Sequence, residues 1–466
     1  MSQARAKRLR SFAAVAALAL LASGCASISQ NRGVDAVSAL AKERLGKDAR
    51  LLRTDDDARS LARLIDEKLR TPLQADDAVQ IALLNNRALQ STYWNVGIAE
   101  ADLVQAGRLQ NPSFSFQRTL QGNEVDIERS LTLNLVRMLT APLAQRIEAR
   151  RFEQTRLMVA NQMLLHAAET RRAYFDAVAA AQGVSYSMQV SRAAQASAEL
   201  TGRMVQAGNS SQLDLAREQA FDAEATAAVG RAGKRALAAR EKLTRLMGLW
   251  GSNAQYRLPD RLPDLPAAPA ELDDIERIAI RDRLDIQAAK VEAAQTASSL
   301  GLTRATRFVN VLDLGYVRNS SAGQPSAPGY VITLELPLFD WGSARVAKSE
   351  AIYMQAVNKV AQTATEARSE ARESYLDYRT SYDLAKHYRD QVIPLRKKIS
   401  DETLLRYNGM LISVFELLAD SREQASAVNS YIDALKDYWI AQTNLEAALG
   451  GRLPAQTAES SKGHTK

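Results

Sequence analysis

The chain has 466 residues, of which 46% are apolar and 24% charged, with a single Cys, three His and a formal net charge of +7. One cysteine excludes a disulfide framework and a thiolate-built metal centre, and three scattered histidines leave little from which to build a catalytic or metal site. Setting aside the first 24 residues, where Arg5, Lys7, Arg8 and Arg10 stand without an acid, cuts the net charge to +3, too small a surplus for a nucleic-acid binder.

Residues 1–24 have the plan of a secretory signal: a basic start, an apolar run from Phe12 to Ala22, and small residues directly before Cys25. The run stops at about eleven residues, roughly half of what a membrane-spanning helix needs. Leu21-Ala22-Ser23-Gly24-Cys25 resembles a bacterial lipobox, which implies that Cys25 is lipidated and becomes the first residue of the mature chain. Ala26 after it implies sorting to the outer membrane by the bacterial rule. Segment 25–75 is polar and charged, with a helix predicted from Asp55 to Leu69.

From residue 76 onward the sequence repeats itself. Leu131-Thr-Leu-Asn-Leu135 overlays Ile332-Thr-Leu-Glu-Leu336, Tyr174-Phe-Asp176 overlays Tyr375-Leu-Asp377, and Leu213-Asp-Leu215 overlays Phe415-Glu-Leu417, at offsets of 201, 201 and 202 residues. Ala82-Leu-Leu and Leu89-Gln90 match Ala279-Ile-Arg and Ile286-Gln287 at 197. So long a period is a duplication rather than a solenoid. The copies occupy 76–250 and 273–450, joined by a stiff linker at 251–272 that carries Pro259, Pro263, Pro266 and Pro269. Residues 451–466 read as a disordered tail.

Each copy has the same order of elements: a helix, two strands, a very long helix, a turn and a last helix. In the first, a helix is predicted from Asp76 to Gly107, opened by two acids at its dipole-positive end. The second copy's helix starts at Leu272-Asp-Asp274. Ser113–Gln117 and Ser130–Leu135 alternate polar with apolar residues, as do Phe308–Tyr316 and Tyr330–Leu336, so each pair reads as a hairpin. With flanks each strand reaches about 9–11 residues, the length of a tilted outer-membrane strand, although a soluble half-buried sheet carries the same pattern. From Leu143 to Ala207 no proline intervenes, predicting a helix of about 100 Å. The matching stretch Ser343–Asn408 is interrupted only by Pro394, where a kink is expected. Four membrane-length strands cannot close a barrel alone, because open edges in lipid leave backbone groups unpaired. Two chains would supply eight strands and three would supply twelve.

Leu334-Glu-Leu-Pro-Leu-Phe-Asp-Trp-Gly-Ser-Ala-Arg345, Ala82-Leu-Leu-Asn-Asn-Arg87, Asn111-Pro112 and the stretch Arg406–Leu418 resemble a TolC-like outer membrane factor, over nearly all of 76–450. The resemblance implies an α+β membrane protein, mostly long helices, forming a homotrimer. Its four strands per chain would contribute to a shared 12-stranded transmembrane barrel, and its helices to a periplasmic coiled-coil tunnel, with segment 25–75 as an equatorial collar. It further implies outer membrane lipid, a periplasmic adaptor and an inner-membrane pump as partners, and passive export without catalytic residue, cofactor or metal. The helix tips fall near Gly208 and Gly409. Glu416, with Asp214 at the equivalent place in the first copy and Asp420 nearby, is the candidate for a gate or selectivity carboxylate, and a helix-dipole role is the alternative for Asp214 and Glu416. Arg203, Gly208, Arg406, Tyr407 and Gly409 are the candidates for adaptor docking.

Three readings follow: an efflux-pump outer membrane channel, a channel for type I protein secretion on the same fold, and a coiled-coil envelope lipoprotein that forms no channel. Met163 and His166 share a helical face but lack a third ligand, which favours core packing over copper binding. Trp341 follows a strand, where a membrane–water interface favours tryptophan, with core packing as the competing reading.

Overall fold

The computed structural model describes residues 28–453 apart from 123, 310 and 322. The signal segment, Cys25 with its lipidation, and the tail from 454 onward lie outside the described residues.

Two short helices come first, α1 (Asp35–Leu45) and α2 (Asp55–Lys68). The second begins where acids follow Thr54, whose side chain accepts from the Asp57 amide at 3.1 Å while the Asp57 carboxylate accepts from the Thr54 amide at 3.0 Å. The Arg53 and Thr54 amides hold the Asp57 carboxyl below the usual carboxylate range.

The single helix expected over 76–107 is instead two, α3 (Ala75–Asn85) and α4 (Arg87–Ala106), separated at Asn86, where the backbone turns extended with φ −65° and ψ 119°. Side chains explain the break. Asn85 Nδ2 donates to the carbonyls of Met247 and Gly248 at 3.0 and 2.8 Å, and Asn86 Nδ2 to those of Arg245 and Leu246 at 3.3 and 3.0 Å. Asn86 Oδ1 meanwhile caps α4 by accepting from the Leu89 amide at 3.0 Å.

Strands β1 (Ser113–Gln121) and β2 (Glu124–Asn134) lead into α5 (Leu135–Gln206), a helix of 72 residues. It begins eight residues ahead of the expected Leu143 and takes in Pro142, because Asn134 Oδ1 accepts from the Arg137 amide at 2.8 Å and starts the helix directly at the strand end. Helix α6 (Gln212–Met247) completes the first copy.

The second copy repeats this order with α7 (Ile275–Asp282), α8 (Leu284–Ala305), β3 (Leu312–Ser321), β4 (Ala327–Leu334) and α9 (Ser343–His387). Strands β3 and β4 reach further into the expected 319–329 loop than their alternation suggests. The helix break recurs at Arg283, φ −66° and ψ 127°. The interruption expected at Pro394 takes the form of a π-helical turn over Tyr388–Val392, after which α10 (Ile393–Asn408) resumes with the proline in its first turn. Helix α11 (Val414–Ala448) ends the second copy.

The described chain divides into two compact units that each draw on both sequence copies. One takes residues 94–159 and 285–363 with the N-terminal residues up to Ala36, and the other takes 37–93, 160–284 and the chain from 364 onward. In the first unit all four strands form one antiparallel sheet, and Arg150 of α5 donates to the Ala294 carbonyl of α8 at 2.6 Å.

The second unit holds a core of leucine, alanine and tyrosine. Tyr174, Tyr378, Tyr382 and Tyr438 are buried there, and the first three bond through their hydroxyls to chain segments crossing the helices. Tyr174 donates to the Leu73 carbonyl at 3.0 Å, Tyr382 to the Ala267 carbonyl at 2.7 Å, and Tyr378 accepts from the Ala270 amide at 2.8 Å. With Leu262 and Leu265 buried beneath it, the proline-rich stretch is an ordered strap on the helices. Asp76 receives Arg171, Lys47 and Arg452 at 2.6, 3.3 and 3.6 Å. Burial pushes its carboxyl up, but these three cations outweigh that and hold it below the usual range.

Met163 is fully buried in this unit, and His166 Nε2 donates to the Leu246 carbonyl at 3.0 Å. Among the described residues no group of three or more His, Cys, Asp and Glu side chains is placed to hold a metal. Burial holds the His166 imidazole below its usual range, against the opposing pull of the Leu246 carbonyl and Glu169. The unfolded chain therefore takes up a proton near pH ~6.5, before the folded chain does. Thermal stability should be at its plateau above that pH and fall as pH is lowered through it, and His166→Gln should flatten the fall. Unfolding midpoints of the two proteins between about pH 7.5 and 5.5 check this.

Candidate functional site

The sheet has order β1-β2-β3-β4, so the two hairpins of the two copies pair through β2 and β3, with Leu131 opposite Tyr316 and Leu133 opposite Leu314. Alternation then sorts the side chains by face. Phe114, Leu131, Tyr316 and Tyr330 form one row on one face, and Leu133, Leu314 and Ile332 form the next. All seven are exposed, Tyr330 at 80%. The opposite face carries Ser115, Gln117, Ser130, Thr132 and Thr333. An apolar face turned outward and a polar face turned inward is the pattern of an outer-membrane barrel wall.

Two further features suit that wall. Strands β1 and β4 are the sheet's edges, each with one side unpaired among the described residues. At the strand ends next to the helices, Phe308 and Trp341 meet edge to face at 6.4 Å and Trp341 is 58% exposed, as an interfacial aromatic girdle requires. Among the described residues no helix is long and apolar enough to cross a membrane, which says nothing of a β-barrel.

The two helical turns repeat one another bond for bond at an offset of 202 residues. In the first copy the amides of Ala207, Gly208 and Asn209 donate to the carbonyls of Arg203, Val205 and Met204. In the second those of Gly409, Met410 and Leu411 donate to Leu405, Tyr407 and Arg406. Ser211 then caps α6 by accepting from the Asp214 amide at 3.1 Å, and Ser413 caps α11 by accepting from the Glu416 amide at 3.3 Å. The left-handed position is Gly208 in one turn, at φ 76°, and Met410 in the other, at φ 59°, whereas Gly409 has an ordinary φ of −80°. Left-handed backbone costs a side-chain-bearing residue roughly 1–2 kcal/mol. Met410→Gly should therefore stabilise the second turn by about 1 kcal/mol, read as a higher unfolding midpoint.

Asp214 and Glu416 occupy the same cap position but differ in engagement. The Asp214 carboxylate accepts from Ser211 Oγ at 2.6 Å and pairs with Arg217 at 3.6 Å, so it is spent on its own helix start. Glu416 is exposed and lines a groove between α10 and α11 with Asp420 one turn on, facing Glu402, Arg406 and Lys398. One Asp420 oxygen is buried without a hydrogen-bond partner. Arg406 donates to Glu402 at 3.1 Å and Arg203 to Glu199 at 2.6 Å, each one helical turn back, and Tyr407 is half-buried.

Behind the turns lies a contact with no sequence signal. Glu218 of α6 is 3% exposed, accepts from Ser197 Oγ of α5 at 2.7 Å, and accepts from Arg422 Nη2 of α11 at 2.8 Å. The Arg422 guanidinium also sits 4.0 Å from the centre of the Phe221 ring. This clamp ties the first copy's helix pair to the second copy's last helix.

Residues 277–451 match the family model described as outer membrane efflux protein. The chain has the fold of TolC-like outer membrane channels. It resembles the outer-membrane channel OprN at 20% identity and a TM-score of 0.68, covering 84% of this chain and 92% of that one. It resembles the CmeC outer membrane channel of Campylobacter jejuni at 16% identity and a TM-score of 0.68, covering 91% and 95%. Protein CyaE of Bordetella pertussis is 27% identical over 295 residues, 58% of this chain, and the chain spans 60% of that relative's length. The matched segment lies in the second sequence copy and contains β3, β4, Glu416 and Arg422. Offsets of 202 residues carry its turn and cap geometry back onto the first copy.

Proposed function

We propose that the chain is the outer membrane channel of a tripartite efflux system, a passive duct without catalytic chemistry of its own. Three copies close a 12-stranded barrel by joining β4 of one chain to β1 of the next, which satisfies the two open edges and turns the apolar face to lipid. Cys25 carries the lipid anchor, and segment 25–75 packs outside the helices. Energy comes from an inner-membrane pump, reached through a periplasmic adaptor.

The observation that carries this reading is the edge-open sheet with one apolar, exposed face, on a chain whose residues 277–451 match the outer membrane efflux protein family model. Outer membranes run on denaturing gels with and without boiling test it. A heat-modifiable band at three times the chain mass supports the shared barrel, and a monomer band that ignores boiling contradicts it.

The helical turns are the gated, docking end in this reading. Glu416 is the exposed carboxylate of a three-fold ring, and Asp420 stands behind it in the same groove. Arg203, Gly208, Arg406, Tyr407 and Gly409 belong to the docking surface, where Leu404, Leu405, Met410 and Leu411 add exposed apolar area. Glu416→Gln removes three charges from the ring and should weaken cation over anion preference about tenfold or less, seen as a shift of reversal potential in a salt gradient. An unchanged reversal potential would remove Glu416 from the conduction path.

A further inference from the structure

Charge is segregated across the sheet as completely as polarity is. Glu124, Asp126, Glu128 and Asp313, the carboxylates of the four strands, all lie on the polar face. Arg118, Arg129 and Arg318 all lie on the apolar face, where no acidic residue of the strands stands. Arg129 of β2 is directly opposite Arg318 of β3, and Arg118 of β1 is diagonal to Arg129, beside its partner Ile127. All three are exposed.

Like charges directly opposite in a sheet repel, and an arginine facing lipid costs a few kcal/mol at the bilayer midplane but little at the interface. The cluster spans two adjacent rows, with Leu120 and Val125 beyond it toward the β1–β2 hairpin on the same face. It lies on the hairpin side of the Phe114, Leu131, Tyr316 and Tyr330 row, away from the strand ends that join the helices. Arg318 already reaches toward the β3–β4 connection, where its Nε and Nη2 donate to Ser326 Oγ at 3.1 and 2.9 Å. The Arg129 guanidinium lies 5.9 Å from the Phe116 ring, leaving its donors unspent on any carboxylate.

We propose that Arg118, Arg129 and Arg318 form a binding site for the phosphates of an anionic glycolipid headgroup in the outer leaflet. Guanidinium forks match phosphate oxygens bidentately. Cross-strand partners about 5 Å apart with a third group at a diagonal of about 7–8 Å let several guanidiniums converge on a phosphate-bearing headgroup. The apolar row beneath them packs on the same molecule's acyl chains. The proposal rests on the barrel reading, which sets this face against lipid.

The test uses full-length protein purified in detergent, wild type and the Arg129→Gln/Arg318→Gln double variant, each incubated with bisphosphorylated lipid A, washed, and weighed by native mass spectrometry beside a heat-modifiability gel. Wild type should retain lipid A, and the double variant should retain about tenfold less while still giving the heat-modifiable oligomer. Arg118→Gln, a milder change, should give an intermediate loss if the double variant fails to assemble. Inorganic phosphate in millimolar excess should leave the lipid in place. Equal retention by heat-modifiable wild type and variants overturns the lipid site alone, as does complete displacement by inorganic phosphate, which would make it a free-anion site. A wild type without a heat-modifiable oligomer overturns the barrel reading and the site together.

Discussion

Arg422→Ala is expected to hold the channel open. The Glu218 carboxylate is buried with two partners, Ser197 and Arg422, and only the second neutralises its charge. Removing one member of a buried ion pair costs about 3–5 kcal/mol, because the remaining charge is left without compensation. Here the carboxylate regains water if α11 moves away from α6. A bias of that size shifts a closed-to-open equilibrium by about two orders of magnitude or more. Single-channel records of the variant should show openings that are larger, longer or both, while oligomer mass stays unchanged. Two companion variants separate charge from packing. Phe221→Leu removes only the contact under the guanidinium, worth about 0.5–2 kcal/mol, and should loosen the closed state mildly. Glu218→Leu combined with Arg422→Ala removes the stranded charge and should restore much of the closure. If Arg422→Ala conducts like wild type, the clamp is a packing contact that does not report on the gate.

The second large effect is expected at Gly315. It stands on the polar face of β3, opposite Thr132 of β2 and Val331 of β4. A Cβ there would fall 2.5 Å from Thr132 Cγ2, 2.8 Å from Val331 Cγ1 and 2.9 Å from the Leu131 carbonyl oxygen. The first two neighbours could turn, but the third is backbone in the β2–β3 ladder, the seam joining the two hairpins. Gly315→Val should therefore break that seam and abolish the heat-modifiable oligomer in outer membranes. Gly329, on β4, has open space where a Cβ would go, so Gly329→Ala should assemble as wild type does. Loss of the oligomer in both would point to a general intolerance of strand glycines rather than to the Gly315 contact.

Much of this architecture was legible in the sequence because it rests on periodicity. Alternation located all four strands, with the ends of β3 and β4 displaced toward the 319–329 connection. The offset of 202 residues between Asp214 and Glu416 is reproduced by Ser211 and Ser413, by the turn hydrogen bonds, and by Gly208 against Met410. What stayed hidden depends on residues far apart in the chain. The break at Asn86 needs the carbonyl end of α6, about 160 residues away, to occupy two side-chain amides that otherwise suit a continuous helix. Glu218 and Arg422, 204 residues apart, follow no pattern that marks them as partners. Pairing of β2 with β3, and with it the grouping of Arg118, Arg129 and Arg318, likewise needs the register. The difference between Asp214 and Glu416 also emerges only in three dimensions, where one carboxylate is held by Ser211 and Arg217 and the other faces a groove.

The most direct test is single-channel recording of the purified oligomer in planar bilayers, with its mass measured on the same preparation. A trimer giving small, cation-selective openings is the result expected of three copies sharing one barrel and closing at a carboxylate-lined end. A monomer or dimer that leaves the bilayer non-conducting would contradict the channel itself and leave a coiled-coil envelope protein whose apolar sheet face serves another purpose.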